Sequence, residues 1–259
     1  MTETQQNTQD LAETGAIVTG SSRGIGAATA ALLGARGAGV VVNYRQKAPR
    51  ANKVVKAVEE AGGRAVAVGA DLTEQVGAQA LVDAAVEEFG GLNLLILNAS
   101  GGMESDRGED YALTLNRDAQ VQMLRTAMTV MPEGSQVIFV TSHQAHFIRD
   151  TATMDSYEPV ARSKRAGEDA LLEMIPQLDE RGIRLAVISG DMIEGTITAT
   201  LLERAEPGAL ESRRTAAGRL YSVEEFAAEI AALVGRDDLE QGHLELVGGA
   251  EDFLRDQQG

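Results

Sequence analysis

Tyr157 and Lys164, in the stretch YEPVARSK, bring a phenol and an ammonium into one segment. Such a pair can move a proton at a carbonyl or alcohol oxygen. Here the two residues stand seven positions apart, nearly two helical turns, and Pro159 between them favours a bend or a first helical turn. That spacing does not support a direct hydrogen bond between them. Tyr157 either reaches a pocket from its loop or serves packing and surface structure; the sequence leaves both open. Two further polar side chains sit where chemistry is done in layered folds. Ser142 lies just after the apolar run QVIFV at 136–140, and Asn116 lies just before a long helical pattern at 117–130.

A second chemical signal is TGSSRGIG, residues 19–26, between the apolar run AIVT and the helical pattern IGAATAALLGAR. Gly20 and Gly24 permit a tight turn, and Gly26 permits close helix–strand packing. The helix start then offers unpaired N–H groups and a positive dipole end to a pyrophosphate. Gly20, Ser22, Arg23, Gly24, Ile25 and Gly26 are therefore the expected contacts of a dinucleotide. The next strand ends in Asn43-Tyr44-Arg45, without the carboxylate that holds an unphosphorylated ribose. Arg45, helped by Arg23 or Ser22, is suited to a 2′-phosphate through a charge-assisted fork. NADPH is expected over NADH, which stays open as a weaker cofactor.

The elements that must carry these residues alternate regularly. Strand patterns at 16–19, 40–43, 64–68, 94–97, 136–140 and 183–188 are separated by helical patterns, including 25–36, 51–61, 117–130 and 160–179. LLIL at 94–97 is apolar on both faces, as in a parallel strand covered by helices. The reading is α/β: a single doubly wound parallel-sheet Rossmann domain over 15–259, with residues 1–14 a flexible tail. Its crevice lies beyond the strand ends, where Gly20, Asn98, Ser142 and Gly190 fall. Leu244–Val247 reads as a last strand, completing the sheet or an assembly interface; homo-oligomerisation stays open.

Composition narrows the function. The formal net charge of -16 argues against tracking a nucleic-acid backbone. No uninterrupted apolar span reaches membrane length, and the polar start lacks the pattern of a secretory leader, so a cytoplasmic protein is expected. Cysteine is absent, and His143, His146 and His243 are too scattered for a zinc site. No metal centre is expected.

With these residues in place, the chain resembles the short-chain dehydrogenase/reductase family over nearly its whole length. The resemblance rests on TGSSRGIG, Asp71-Leu72, LNASGG at 97–102, Asn116, Ser142 and Lys164. It implies that Asp71 and Leu72 position the adenine end, and that Asn98, Ala99 and Ser100 line the central crevice. Ser100 departs from the family's second alanine. Gly190, Met192 and Thr196 correspond to the last cofactor loop, although SGDMIEGT lacks its usual proline–glycine start. In the family a tyrosine exchanges the proton, a lysine four residues later holds the nicotinamide ribose, a serine orients the substrate oxygen and an asparagine maintains a water route. Ser142, Asn116 and Lys164 are available for three of these catalytic roles. The tyrosine position is Val160, which can neither give nor take a proton.

Val160, Lys164 and the segment after them resemble an atypical ketoreductase branch that acts on angucyclinones in bacterial antibiotic biosynthesis. That resemblance implies NADPH-dependent ketone reduction on a large, flat aromatic polyketide. It also implies substrate-assisted protonation by a neighbouring phenolic hydroxyl. The competing expectation is a catalytically inactive NADP(H)-binding sensor or scaffold. Residues 191–217 read as a helical lid: ITATLLERA is helical, EPG interrupts, and ALESRR starts another helix. Met192, Ile193, Ile197, Leu201 and Leu202 are its expected apolar contacts to the ligand.

Overall fold

The computed structural model describes residues 9–103, 108 and 110–256. Seven strands form one parallel sheet in the order β3-β2-β1-β4-β5-β6-β9. The first half runs β1 (Gly15–Val18), α1 (Gly24–Ala35), β2 (Gly39–Tyr44), α2 (Ala48–Glu60), β3 (Arg64–Gly69), α3 (Gln75–Phe89) and β4 (Leu94–Leu97). There follow α4 (Tyr111–Leu113), a π-helical turn (Thr114–Asp118), α5 (Ala119–Met128), β5 (Gln136–Ser142), α6 (His143–His146), α7 (Glu158–Leu172), α8 (Ile175–Asp179) and β6 (Arg184–Gly190). The chain ends with β7 (Ile193–Glu194), α9 (Ile197–Ala205), α10 (Ala209–Ala217), β8 (Tyr221–Ser222), α11 (Val223–Leu233), β9 (His243–Val247) and α12 (Glu251–Asp256).

The architecture follows from which strand faces are apolar. β1, β4 and nearly all of β2 and β5 are buried, so both faces of the sheet need a helical cover. On one face Leu33, Val58, Phe226 and Ile230 close over Val18, Val40 and Ile96. On the other, Leu81, Met123, Leu124 and Leu171 close over Ile17, Val41 and Leu95. β1 pairs with β2 on one side and β4 on the other, which makes their carboxyl ends the reversal point where a crevice opens. A third, smaller cluster joins Tyr157, Val160, Met192, Ala199 and Leu202 beneath the lid.

Several boundaries differ from the sequence reading for physical reasons. The helical pattern at 160–179 is two helices, because Pro176 cannot continue α7 and starts α8 in its first turn. The pattern at 117–130 starts earlier and contains the π-helical turn around Asn116. Within the expected tail, residues 9–14 are docked: Leu11 is buried, its N–H meets Arg36 O, and Asp10 pairs with Arg36. Residues 1–8 lie outside the described part. The lid is helical as expected, as α9 and α10. Among the described residues no helix is long and apolar enough to cross a membrane, and no three metal-binding side chains gather.

Candidate active site

The TGSSRGIG turn is built from the sheet outward. Asn43, at the end of β2, is buried and spends its side chain on the turn: Oδ1 accepts Gly20 N–H at 2.9 Å, and Nδ2 donates to Ala70 O at 3.2 Å. Asn98 does the same from β4, donating to Thr19 O at 2.9 Å. Gly20 and Gly24 take positive φ, 62° and 57°. A Cβ on Gly26 would meet Asn98 Nδ2 at 2.6 Å, so the helix can approach the strand only without one. Beside Gly24, by contrast, a Cβ would meet nothing within 4 Å. Arg23, the N-cap of α1, makes no side-chain cap bond. The result is an open cradle in front of a helix N-terminus, the shape and polarity a pyrophosphate requires.

All sixteen residues expected to hold the cofactor line one cavity of about 610 Å³, from Arg23 and Arg45 at one end to Lys164, Met192 and Thr196 at the other. Arg45 hydrogen-bonds the Tyr111 hydroxyl, and its guanidinium lies 5.7 Å from that ring's centroid. Arg50, on α2, lines the same end and was not anticipated from sequence. Three arginines around one mouth fit a ribose carrying a 2′-phosphate. Asp71 shapes its loop, with Oδ1 accepting Thr73 N–H at 3.0 Å and the Thr73 hydroxyl at 2.7 Å. Thr196 caps α9, its hydroxyl accepting Ala199 N–H at 3.1 Å. These residues therefore fit a phosphorylated nicotinamide dinucleotide.

At the opposite end, Lys164 is buried against the cavity, which half-buried Ser142 also lines. Tyr157 joins them: it is 4% exposed, so the surface alternative falls away, and its hydroxyl lies 3.3 Å from Ser142 Oγ. Val160 is turned to the cluster beneath the lid, where its Cγ2 would stand 3.2 Å from a Cβ on Gly102. One turn earlier on the same helix face, Tyr157 brings a hydroxyl to the serine that Val160 cannot. The i, i+7 relation to Lys164 was the available signal, and the length of a tyrosine side chain spans the missing turn.

Asn116, expected in the catalytic set, lies on the π-helical turn. Its buried side chain accepts Gly101 N–H at 3.1 Å and donates to Gly101 O and Ser163 Oγ, each at 2.8 Å. It pins the loop after β4 to α7 and is not among the described residues lining the cavity. His143 is wholly buried on α6, bonded to Ser189 Oγ and Gly248 O. Of the lid residues, Met192, Ile193, Ile197 and Leu202 line the cavity; Leu201 is not among them. Gln144 and Asp191 do line it, and sequence reasoning had passed over both.

Comparison with known proteins agrees with this geometry. A family model described as short chain dehydrogenase matches residues 14–206. An uncharacterized oxidoreductase of Methylorubrum extorquens is 33% identical over 230 residues, 86% of this chain and 90% of its own. Among solved structures, the angucycline C-6 ketoreductase LanV with bound NADP is 28% identical, with a TM-score of 0.76 over 92% of this chain and 96% of that one. The promiscuous reductase LugOII, which catalyses keto-reduction at C1 during lugdunomycin biosynthesis, is 26% identical with a TM-score of 0.78, over 92% of this chain and 98% of its own. The chain belongs to the short-chain dehydrogenase family and is an NAD(P)H-dependent oxidoreductase.

Proposed function

We propose that this enzyme uses NADPH to reduce a ketone on a polycyclic aromatic polyketide, an angucyclinone being the best-fitting class. The observation that carries this reading is the single cavity joining the phosphate cradle to Lys164, Ser142 and Tyr157 under an apolar lid. The likeness to LanV, an angucycline C-6 ketoreductase, and to LugOII, which carries out a keto-reduction in lugdunomycin biosynthesis, supports the choice of ligand. So does the pattern around Val160 and Lys164, which resembles the ketoreductase of simocyclinone biosynthesis. Met192, Ile193, Ile197 and Leu202 offer flat apolar contact on the lid side.

When bound, NADPH supplies the hydride that adds to the carbonyl carbon. The protein holds the ketone oxygen near Ser142, and lid closure excludes bulk water. The developing alkoxide then takes a proton. On a substrate with a phenolic hydroxyl beside the ketone, that hydroxyl stabilises the oxygen, the assisted route expected from Val160. On a ketone without one, the Tyr157 hydroxyl beside Ser142 is the donor; the 3.3 Å contact is the observation that favours this second route.

Stopped-flow absorbance of NADPH mixed with a panel of angucyclinones and simpler aromatic ketones tests the assignment. Substrate-dependent oxidation, strongest for polycyclic ketones, is the expected result. Tight NADPH binding with no oxidation by any ketone of the panel would make the protein a sensor or scaffold instead.

A further inference from the structure

Two consecutive arginines on α10 reach back to the loop that follows β6. Arg213 Nε donates to both carboxylate oxygens of Asp191, at 2.9 and 2.8 Å. Arg214 pairs with Glu194, three residues further along, at the end of the short strand β7. Between those acids lie Met192 and Ile193, which line the cavity. Asp191 also accepts its neighbour's Met192 N–H at 2.8 Å, so the carboxylate bound by Arg213 fixes the first peptide of the loop.

The two pairs are unequal. The side chains of Arg213 and Asp191 are 16% and 3% exposed, whereas Arg214 and Glu194 are 40% and 39% exposed. An exposed pair contributes little, but removing one member of a buried pair strands a charge. Arg213 is also the larger junction: Nη1 donates to Asp252 at 3.0 Å, Nη2 to Gly249 O at 2.6 Å, and the guanidinium lies 5.0 Å from the Phe253 ring centroid. The space is built for it, since a Cβ on Gly249 would stand 2.1 Å from Asp191 Oδ2 and 2.9 Å from Arg213 Nη2. α10 meanwhile has no fully buried residue; Leu210 packs, half-buried, against the cluster beneath the lid, so core packing seats the helix only in part.

We propose that Arg213 is a positioning residue that fastens lid helix α10 to Asp191, so that seating of the lid and ordering of the nicotinamide-side loop are one event. The loop lacks the proline that would stiffen it in isolation, and the buried ion pair takes that role from a distant helix. The inference rests on the dinucleotide site alone, so its failure would leave the choice of ketone untouched.

The test is hydrogen–deuterium exchange of the full-length protein with and without NADPH, for wild type, Arg213→Met, Arg214→Met and Asp191→Asn. In wild type NADPH should slow exchange in 191–196 and in 209–217 together. Arg213→Met should remove the slowing in 209–217 and reduce it in 191–196 by about fivefold or more, with β1–β3 peptides unchanged. Asp191→Asn, which keeps the shape and removes the charge, should reproduce that pattern, and Arg214→Met should leave the coupling in place. NADPH affinity, dominated by the phosphate cradle, should change less than the first-order hydride-transfer constant, measured with any ketone turned over. Retained NADPH protection of 209–217 in Arg213→Met would overturn the proposal. So would an equal rise in exchange across the core strands, which would mark Arg213 as general scaffolding.

Discussion

The Tyr157 hydroxyl lies 3.3 Å from Ser142 Oγ, although Tyr157 precedes Lys164 by seven residues and sits at the N-cap of α7. A general acid in such a position contributes roughly 10²–10⁴ in rate when the substrate has no internal donor. Tyr157→Phe should therefore lower turnover of a plain aromatic ketone by about a hundredfold. A ketone flanked by its own phenol should lose only about threefold, because the assisted route persists. Single-turnover rates on the two substrate types check this; equal losses on both would place Tyr157 in every reaction, and no loss on either would remove it.

Lys164 is buried against the cavity, on the helix face that carries Tyr157. Hydrogen bonds to a charged group contribute about 1.5–3 kcal/mol, so Lys164→Ala should weaken NADPH binding by roughly tenfold to a hundredfold. Fluorescence titration of NADPH measures this directly, and an unchanged Kd would defeat the assignment.

Arg45 and Arg50 line the end of the cavity expected to hold the 2′-phosphate. Replacing each in turn by Ala should leave NADH affinity nearly constant while NADPH affinity falls, by about tenfold for the residue that makes the stronger fork. The ratio of the two dissociation constants is the quantity to follow. If it holds steady in both variants, the phosphate is held elsewhere.

The phosphate cradle was legible in the sequence because its glycines are local: Gly20 and Gly24 allow the positive φ of the turn, and Gly26 the close approach of α1. The parallel sheet was legible from the β/α alternation and from LLIL, which is apolar on both sides. What stayed hidden depends on reach across the fold. The destination of Tyr157 depends on the separation of α7 and β5, and Asn116 is occupied by Gly101 and Ser163, which no spacing rule announces. The pairing of Arg213 with Asp191 spans 22 residues and joins helix α10 to the loop after β6, which only the folded chain brings together. Polar side chains that looked available, Thr196 and Asn98, are likewise spent on a helix cap and a turn.

Burial holds the His143 pKa below its usual value, partly offset by its bond to the Gly248 carbonyl. The unfolded chain then binds a proton that the folded chain resists, so the contribution to stability is full above the unfolded pKa of about 6.5 and falls as pH drops below it. The melting temperature of the wild type should decline between about pH 7.5 and 5.5. His143→Gln, although less stable overall, should show a shallower decline. Parallel curves for the two proteins would mean that His143 does not control this window.

Gly167 shows how tightly α7 must approach the π-helical turn for any of this chemistry to assemble. A Cβ at that position would stand 2.0 Å from the carbonyl oxygen of Asn116 and 3.0 Å from its carbonyl carbon. Both contacts are to backbone, which cannot swing aside as a flexible side chain would. Gly167→Ala should therefore push α7 outward and destabilise the fold by about 1–3 kcal/mol, even though alanine is the better helix former. Because α7 carries both Tyr157 and Lys164, hydride transfer should slow in the same variant under conditions where it remains folded. Urea denaturation gives the stability change, and single-turnover absorbance gives the rate. A variant as stable as the wild type would show that the helix has room to spare at the π turn.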